Sequence, residues 1–148
     1  MTAEPPMFSH RLRVRYAEVD AQAVVYNAHY LMYYDIALVE YLRAQGLPEP
    51  ATPPEPGRDF VVKRTSLEFD APLRLDDLFD VTCRVARLGR SSITFALTIV
   101  RAGESTPCNR GEIIWVYTDM QQRRACPIPA HLRALLLGAA TTSAPARP

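Results

Sequence analysis

Residues able to do chemistry gather between Asp20 and Asn27, in the run DAQAVVYN. A carboxylate can activate water or attack a carbonyl carbon directly. A helix that opens near Asn27 presents unpaired backbone N–H groups, and such amides can hold an oxyanion. This short run therefore contains the parts of an acyl-transfer site. Asp20 also has a plainer reading, in which its side chain closes the turn or caps the helix. Glu18, two residues earlier, reads as a solvated or turn residue. Ser91 and Ser92 follow a turn, where their hydroxyls can meet a substrate or serve as ordinary hairpin polar groups. His10, His29 and His131 are isolated and no G-x-S-x-G run occurs. A Ser-His-Asp triad and a metal site are therefore poorly supported. No G-x-G-x-x-G or P-loop appears, which disfavours dinucleotide redox chemistry and nucleotide hydrolysis.

The elements that must position these groups follow from hydrophobic periodicity. His10 to Tyr16 alternates, with Leu12, Val14 and Tyr16 on one side and arginines on the other, as in a half-buried strand. From about Asn27 to Gln45 the period turns helical, with Tyr30, Tyr34, Leu38, Tyr41 and Leu42 in one stripe. Leu31, Met32, Ala37 and Val39 extend apolar character around the helix, which predicts that it is largely buried. Gly46 suits a left-handed cap. Residues 48–57 (PEPATPPEPG) form a stiff proline-rich loop. A period of two then dominates over Phe60–Phe69, Phe79–Leu88, Ser92–Arg101 and Arg110–Asp119. Ala71-Pro72, Gly89-Arg90 and residues 102–109 separate these strands. Residues 123–129 read as a loop, and His131–Leu137 as a short helix. One strand, a long helix and four strands in meander describe an α+β antiparallel sheet around a central helix. Residues 1–9 read as a flexible leader, 10–137 as a single domain and 138–148 as a disordered tail.

The chain has 148 residues, which suits one domain. Its formal net charge is +1, so no strong field favours nucleic acid or an anionic membrane. Lys63 is the sole lysine among 17 basic residues, which reads as composition bias, although arginine also binds phosphate well. Cys83, Cys108 and Cys126 are odd in number and widely spaced. That pattern argues against a disulfide framework and for a reducing compartment, the cytoplasm. Cys83 falls on the apolar phase of its strand and reads as a core residue. No signal peptide or membrane-length apolar run is visible. One sheet cannot cover a helix that is apolar nearly all round, so a homodimer or a larger assembly is expected.

The layout and the opening segment resemble the hotdog fold, specifically the 4-hydroxybenzoyl-CoA thioesterase/YbgC-like acyl-CoA thioesterases. That family carries D-x-x-G-x-V-x-[HNF]-x-x-Y after an aromatic strand end. The matching residues are Tyr16, Asp20, Ala23, Val25, Asn27 and Tyr30. Residues 58–77 resemble the family's second strand with its A-P-x-x-x-D-D break. Residues 88–92 resemble its strand-turn-strand, and 115–129 its last strand and closing segment.

The resemblance implies a five-stranded hotdog sheet wrapped around one long helix. It also implies hydrolysis of an acyl-CoA thioester, in a dimer or dimer of dimers with sites at the subunit boundary. It places the catalytic carboxylate on Asp20 and the backbone oxyanion donor on Asn27 or Tyr26. Tyr16 and Tyr30 become candidates for the substrate site. The Gly89-Arg90-Ser91-Ser92 loop falls near the thioester, and Lys63, Arg64, Arg123 and Arg124 are candidates for CoA phosphates. No cofactor is implied, since CoA belongs to the substrate. Two departures stand out. Ala23 replaces the usual glycine, so its backbone must be either ordinary or strained. Asn27 replaces a frequent histidine and cannot carry a proton at neutral pH. His29 points elsewhere on the helix and is a poor substitute. A hotdog 3-hydroxyacyl-thioester dehydratase is disfavoured because no histidine sits in the motif. A non-catalytic hotdog module that binds acyl-CoA or a protein remains the alternative from another class.

Overall fold

Side-chain alternation makes most of the strands, and one long helix packs on their apolar face. The computed structural model describes residues 7–47 and 52–138. Residues 1–6, 48–51 and 139–148 lie outside the described residues. They include most of the expected leader, the first part of the proline-rich loop and all but Gly138 of the expected tail. In chain order the elements are β1 (Phe8–Arg13), α1 (Asn27–Ala44), β2 (Arg58–Phe69), β3 (Leu78–Leu88), β4 (Ser92–Arg101), β5 (Pro107–Asp119), β6 (Arg124–Ala125) and α2 (Ala130–Leu136). A one-turn 3-10 helix, Tyr16–Glu18, lies between β1 and α1.

The strands pair antiparallel in the order β1-β3-β4-β5-β2, with the short β6 also against β5. The expected meander therefore holds only for β3, β4 and β5. β2 crosses over to the far edge, where Arg58 faces Asp119 and Phe69 faces Asn109. β1 takes the place beside β3 that a simple meander gives to β2, with Phe8 opposite Cys83 and Arg13 opposite Leu78. Alternation fixes which face a residue occupies but not which strand lies next door.

Several boundaries differ from expectation, and β2 opens two residues early, at Arg58. β1 starts at Phe8, inside the expected leader, and ends at Arg13. Tyr16 does not extend it. Arg15 and Glu18 bond to each other and turn the chain into the 3-10 helix, which leaves Tyr16 85% exposed. β5 takes in Pro107, Cys108 and Asn109, read as turn in the sequence. Proline at a strand's first residue is well tolerated. Within the expected 123–129 loop, Arg124 and Ala125 pair with Asp119 and Thr118.

α1 buries Tyr30, Tyr33, Tyr34, Ala37, Leu38 and Tyr41 against the sheet. The Tyr33 ring packs 4.7 Å from Phe79, and Tyr41 lies 6.1 Å from Phe95. The helix is not buried all round. Met32, Asp35, Ile36, Val39, Glu40 and Arg43 line a shallow hollow on its outer side. Gly46, at φ 82°, ends it as the left-handed cap requires. At the far end Leu132 and Leu136 of α2 enter the core, and the Tyr41 hydroxyl donates to the Leu136 carbonyl. Cys83 is buried and its thiol is pushed up to about 12 by that burial, in keeping with a core role.

One contact sets how closely α1 approaches β5. The Tyr34 hydroxyl donates to Asn109 Oδ1 at 2.7 Å. Its ring lies over Gly111, where a Cβ would meet Tyr34 Cε2 at 2.6 Å. Only a residue without a side chain fits between helix and strand. Gly111→Ala is expected to lower stability by about 1–3 kcal/mol through overpacking. Urea unfolding of both proteins checks this, and equal midpoints would show that the ring yields freely.

Candidate active site

The stretch from Arg15 to Asn27 contains almost no regular structure, so its shape rests on individual backbone bonds. Asp20 N–H donates to the Val24 carbonyl at 2.9 Å and Ala23 N–H to the Asp20 carbonyl at 3.0 Å. These bonds close a tight loop, and Val19 and Val25 form a bridge at its base. Gln22 N–H donates to Asp20 Oδ1 at 2.8 Å, an Asx turn. The turn-closing reading of Asp20 is therefore real. It uses one carboxylate oxygen, and the other has no partner among the described residues. Ala23 sits at φ 60°, so the strained alternative for this position is the observed one. A left-handed alanine costs roughly 1–2 kcal/mol.

Two further bonds seat this loop against the rest of the fold. Val25 N–H donates to the Leu73 carbonyl at 2.8 Å, and Tyr26 N–H to the Glu18 carbonyl at 2.9 Å. Tyr26 is the N-cap of α1, and among the described residues no side chain caps the helix. The first turn also holds no acidic residue. The Asn27 N–H thus remains without a partner among the described residues, at the positive end of the helix dipole.

Asp20, Asn27 and Tyr30 line one cleft of about 290 Å³, together with Gln22, Val24, Val25, Phe69, Asp70, Ala71 and Pro72. The buried Tyr30 forms part of the wall, and its hydroxyl accepts from Leu73 N–H at 3.2 Å. Phe69, half exposed at the end of β2, packs edge-on against Tyr30 at 5.3 Å. The Ala71-Pro72 wall is held by Asp70 N–H and Ala71 N–H, both donating to the Cys108 carbonyl. Arg101 Nη2 adds a bond to the Pro72 carbonyl at 2.7 Å.

The cleft holds a second carboxylate, Asp70, which sequence reasoning missed. Arg110 grips it with two bonds, 2.9 and 3.1 Å, and this pairing holds its carboxyl below the ordinary aspartate range. The only local signal was its place just before Ala71-Pro72. Glu18 is also corrected. It is 3% exposed rather than solvated, because the 3-10 turn tucks it under α1, where the Tyr33 hydroxyl donates to it at 2.6 Å.

The other sequence candidates lie elsewhere. Tyr16 points to solvent and does not line the cleft. Tyr26 is half exposed, with its amide already used by Glu18. Lys63 and Arg123 share a second groove with Val61, Val62, Val116, Thr118 and Ala125. Lys63 stands at a bulge between Val62 and Arg64, and Arg123 has a left-handed backbone at φ 56°. Arg64 pairs with Glu112 at 2.9 Å, and Arg124 lies on exposed β6. Gly89, Arg90, Ser91 and Ser92 form the β3–β4 turn. Its carbonyls are taken by Tyr117 N–H at Ser91, Ile128 N–H at Arg90 and the Arg133 guanidinium at Gly89. None of these four residues lines the Asp20 cleft within one chain.

Comparison with known proteins agrees with this architecture. The chain is 32% identical over 128 residues to an acyl-CoA thioester hydrolase, YbgC, of Escherichia coli O6:H1, spanning 86% of this chain and 94% of that one. It is 34% identical over 94 residues to the acyl-CoA thioesterase YbgC of Haemophilus influenzae, spanning 64% of this chain and 69% of the relative. Among solved structures, a hypothetical protein of Aquifex aeolicus superposes with a TM-score of 0.79 at 26% identity, covering 87% of this chain and 98% of that one. A 1,4-dihydroxy-2-naphthoyl-CoA thioesterase of Synechocystis shares the fold, with a TM-score of 0.82 at 18% identity, covering 90% and 98%. These neighbours have the hotdog fold expected from the sequence. The model of the thioesterase-like superfamily matches residues 14–136, and the chain belongs to that family.

Proposed function

We propose that the protein hydrolyses an acyl-CoA thioester to the free acid and CoA. One observation carries this reading: the Asp20 carboxylate and the uncapped start of α1 line the same cleft. The likeness to acyl-CoA thioester hydrolases supports the substrate class. In the proposed step, a nucleophile adds to the thioester carbonyl carbon and the oxygen becomes an oxyanion. The Asn27 N–H receives that oxyanion, since the Tyr26 amide is already committed to Glu18. The C–S bond then breaks, CoA leaves as thiolate, and a proton restores its thiol.

Asp20 serves either as general base on water or as the nucleophile itself. As base, it takes the water proton and passes it to the departing thiolate. As nucleophile, it forms a mixed anhydride that water hydrolyses in a second step. Tyr30 and Phe69 offer an aromatic wall to the acyl group. Lys63 and Arg123, with Arg64 and Arg124 near them in sequence, are proposed for CoA phosphates, and the reaction is proposed to need no separate cofactor.

The proposed working unit is a homodimer, or a dimer of dimers. β2 is an edge strand, and its last residues, Phe69 and the adjoining Asp70, line the cleft. A second subunit on that edge would complete the cleft and bring a Gly89–Ser92 turn to it. The proposed compartment is the cytoplasm, in keeping with three unpaired cysteines. Among the described residues no helix is long and apolar enough to cross a membrane.

A second reading, binding of acyl-CoA or a protein without turnover, draws on the Asx-turn role that Asp20 already fills. Thiol release from short, long and aromatic acyl-CoAs separates the two. Asp20→Asn is expected to lower kcat about 10²- to 10⁴-fold. Asn27→Ala retains the backbone amide and is expected to cost less than about tenfold, well under the loss of an oxyanion donor. An equal or greater loss at Asn27 would show its side chain acting directly, and binding without turnover would favour the second reading. Light scattering at micromolar concentration is expected to give at least twice the 16.6 kDa chain mass, and a monomeric mass rejects the assembly.

A further inference from the structure

Glu18 is a buried carboxylate outside the cleft. It lines a separate, smaller cavity of about 180 Å³ with Leu12, Arg13, Arg15, Tyr33 and Ile36. Its Oε2 accepts from the Tyr33 hydroxyl at 2.6 Å and from Arg15 N–H at 2.8 Å, and its Oε1 from Arg15 Nε at 2.7 Å. Its backbone carbonyl accepts the Tyr26 N–H at 2.9 Å. One residue therefore grips α1 twice, at its N-cap through the backbone and at Tyr33 through the side chain.

We infer that Glu18 is a positioning residue for the oxyanion amide, acting through Tyr26 and Tyr33. This rests on the thioesterase reading of the Asp20 cleft. The loop carrying Asp20 leaves from Glu18 and returns to it at Tyr26, so Glu18 is the point at which its two ends are tied. Occupying the Tyr26 amide leaves Asn27 as the first helix donor still available to a ligand. Tyr33 extends the link, because its ring lies edge-on to Tyr30, 6.1 Å away, and Tyr30 lines the cleft. Burial alone would push the Glu18 carboxyl up, but the Arg15 amide, the Tyr33 hydroxyl and the Arg15 guanidinium outweigh it and hold the group low. Glu18 is thus an anion held by three donors. Neutralising it puts an N–H₂ where these donors point.

The test uses the full-length protein with Glu18→Gln and Tyr33→Phe, singly and together. Amide exchange by NMR reads the tie itself. In either variant the Tyr26 N–H is expected to exchange about tenfold or more faster, while amides in the middle of α1 keep their protection. In thiol-release assays kcat is expected to fall about 10- to 100-fold with KM little changed, as for a displaced catalytic group. The double variant is expected to lose no more than the worse single one, since both act through one contact. Unaltered Tyr26 exchange in Tyr33→Phe, which removes only a hydroxyl and should fold even if Glu18→Gln does not, overturns the inference. Losses in kcat that simply add, or an unaltered kcat in both variants, also overturn it. A wild type that turns over no acyl-CoA refutes the thioesterase reading instead, and the exchange data still decide whether Glu18 holds the amide.

Discussion

An α-helix cannot satisfy its own first amides, and among the described residues no side chain caps α1. The arrangement around the cleft follows from that deficit. The start of α1 is exposed at Tyr26, Asn27 and Ala28, so water or a ligand can reach its open amides. Two backbone bonds, Val25 to Leu73 and Tyr26 to Glu18, fix the approach to the helix. They occupy the amides before Asn27, and Asn27 itself lines the cleft. The Asx turn at Asp20 then places a carboxylate on the same cleft through a loop too short to wander.

The surrounding sheet serves this geometry at a distance. Tyr34 against Gly111 sets the gap between helix and β5, while Tyr33 against Phe79 sets it against β3. β5 in turn holds the opposite wall, because the Cys108 carbonyl receives both Asp70 and Ala71. The helix start and the Phe69–Pro72 wall are therefore both referenced to β5. Packed interiors transmit such constraints because they have little free volume to absorb a shift.

Much of this was legible in the residues. The ends of β4 fall where alternation places them, and α1 opens at Asn27 and ends before Gly46 as its pattern implies. Cys83 sits in the core, as its phase requires. What stayed hidden depends on partners remote in sequence. β2 and β5 are matched by a crossover that no local pattern encodes. Tyr16 continues an alternating run, but the Arg15–Glu18 pair bends the chain before the run can be used. Glu18 looks like any surface acid until the turn slides it beneath Tyr33. Asp70 has no periodic signature and shares a cleft with Asp20 only because two loops converge there.

Ala23 carries a methyl group on a backbone shape that glycine adopts with ease. The methyl also narrows the range of conformations open to this segment in the unfolded chain, which offsets part of that strain. A guest entering the cleft would meet a loop that backbone bonds already hold in place. Its association would then draw on desolvation and contact, with little entropy lost to ordering the host.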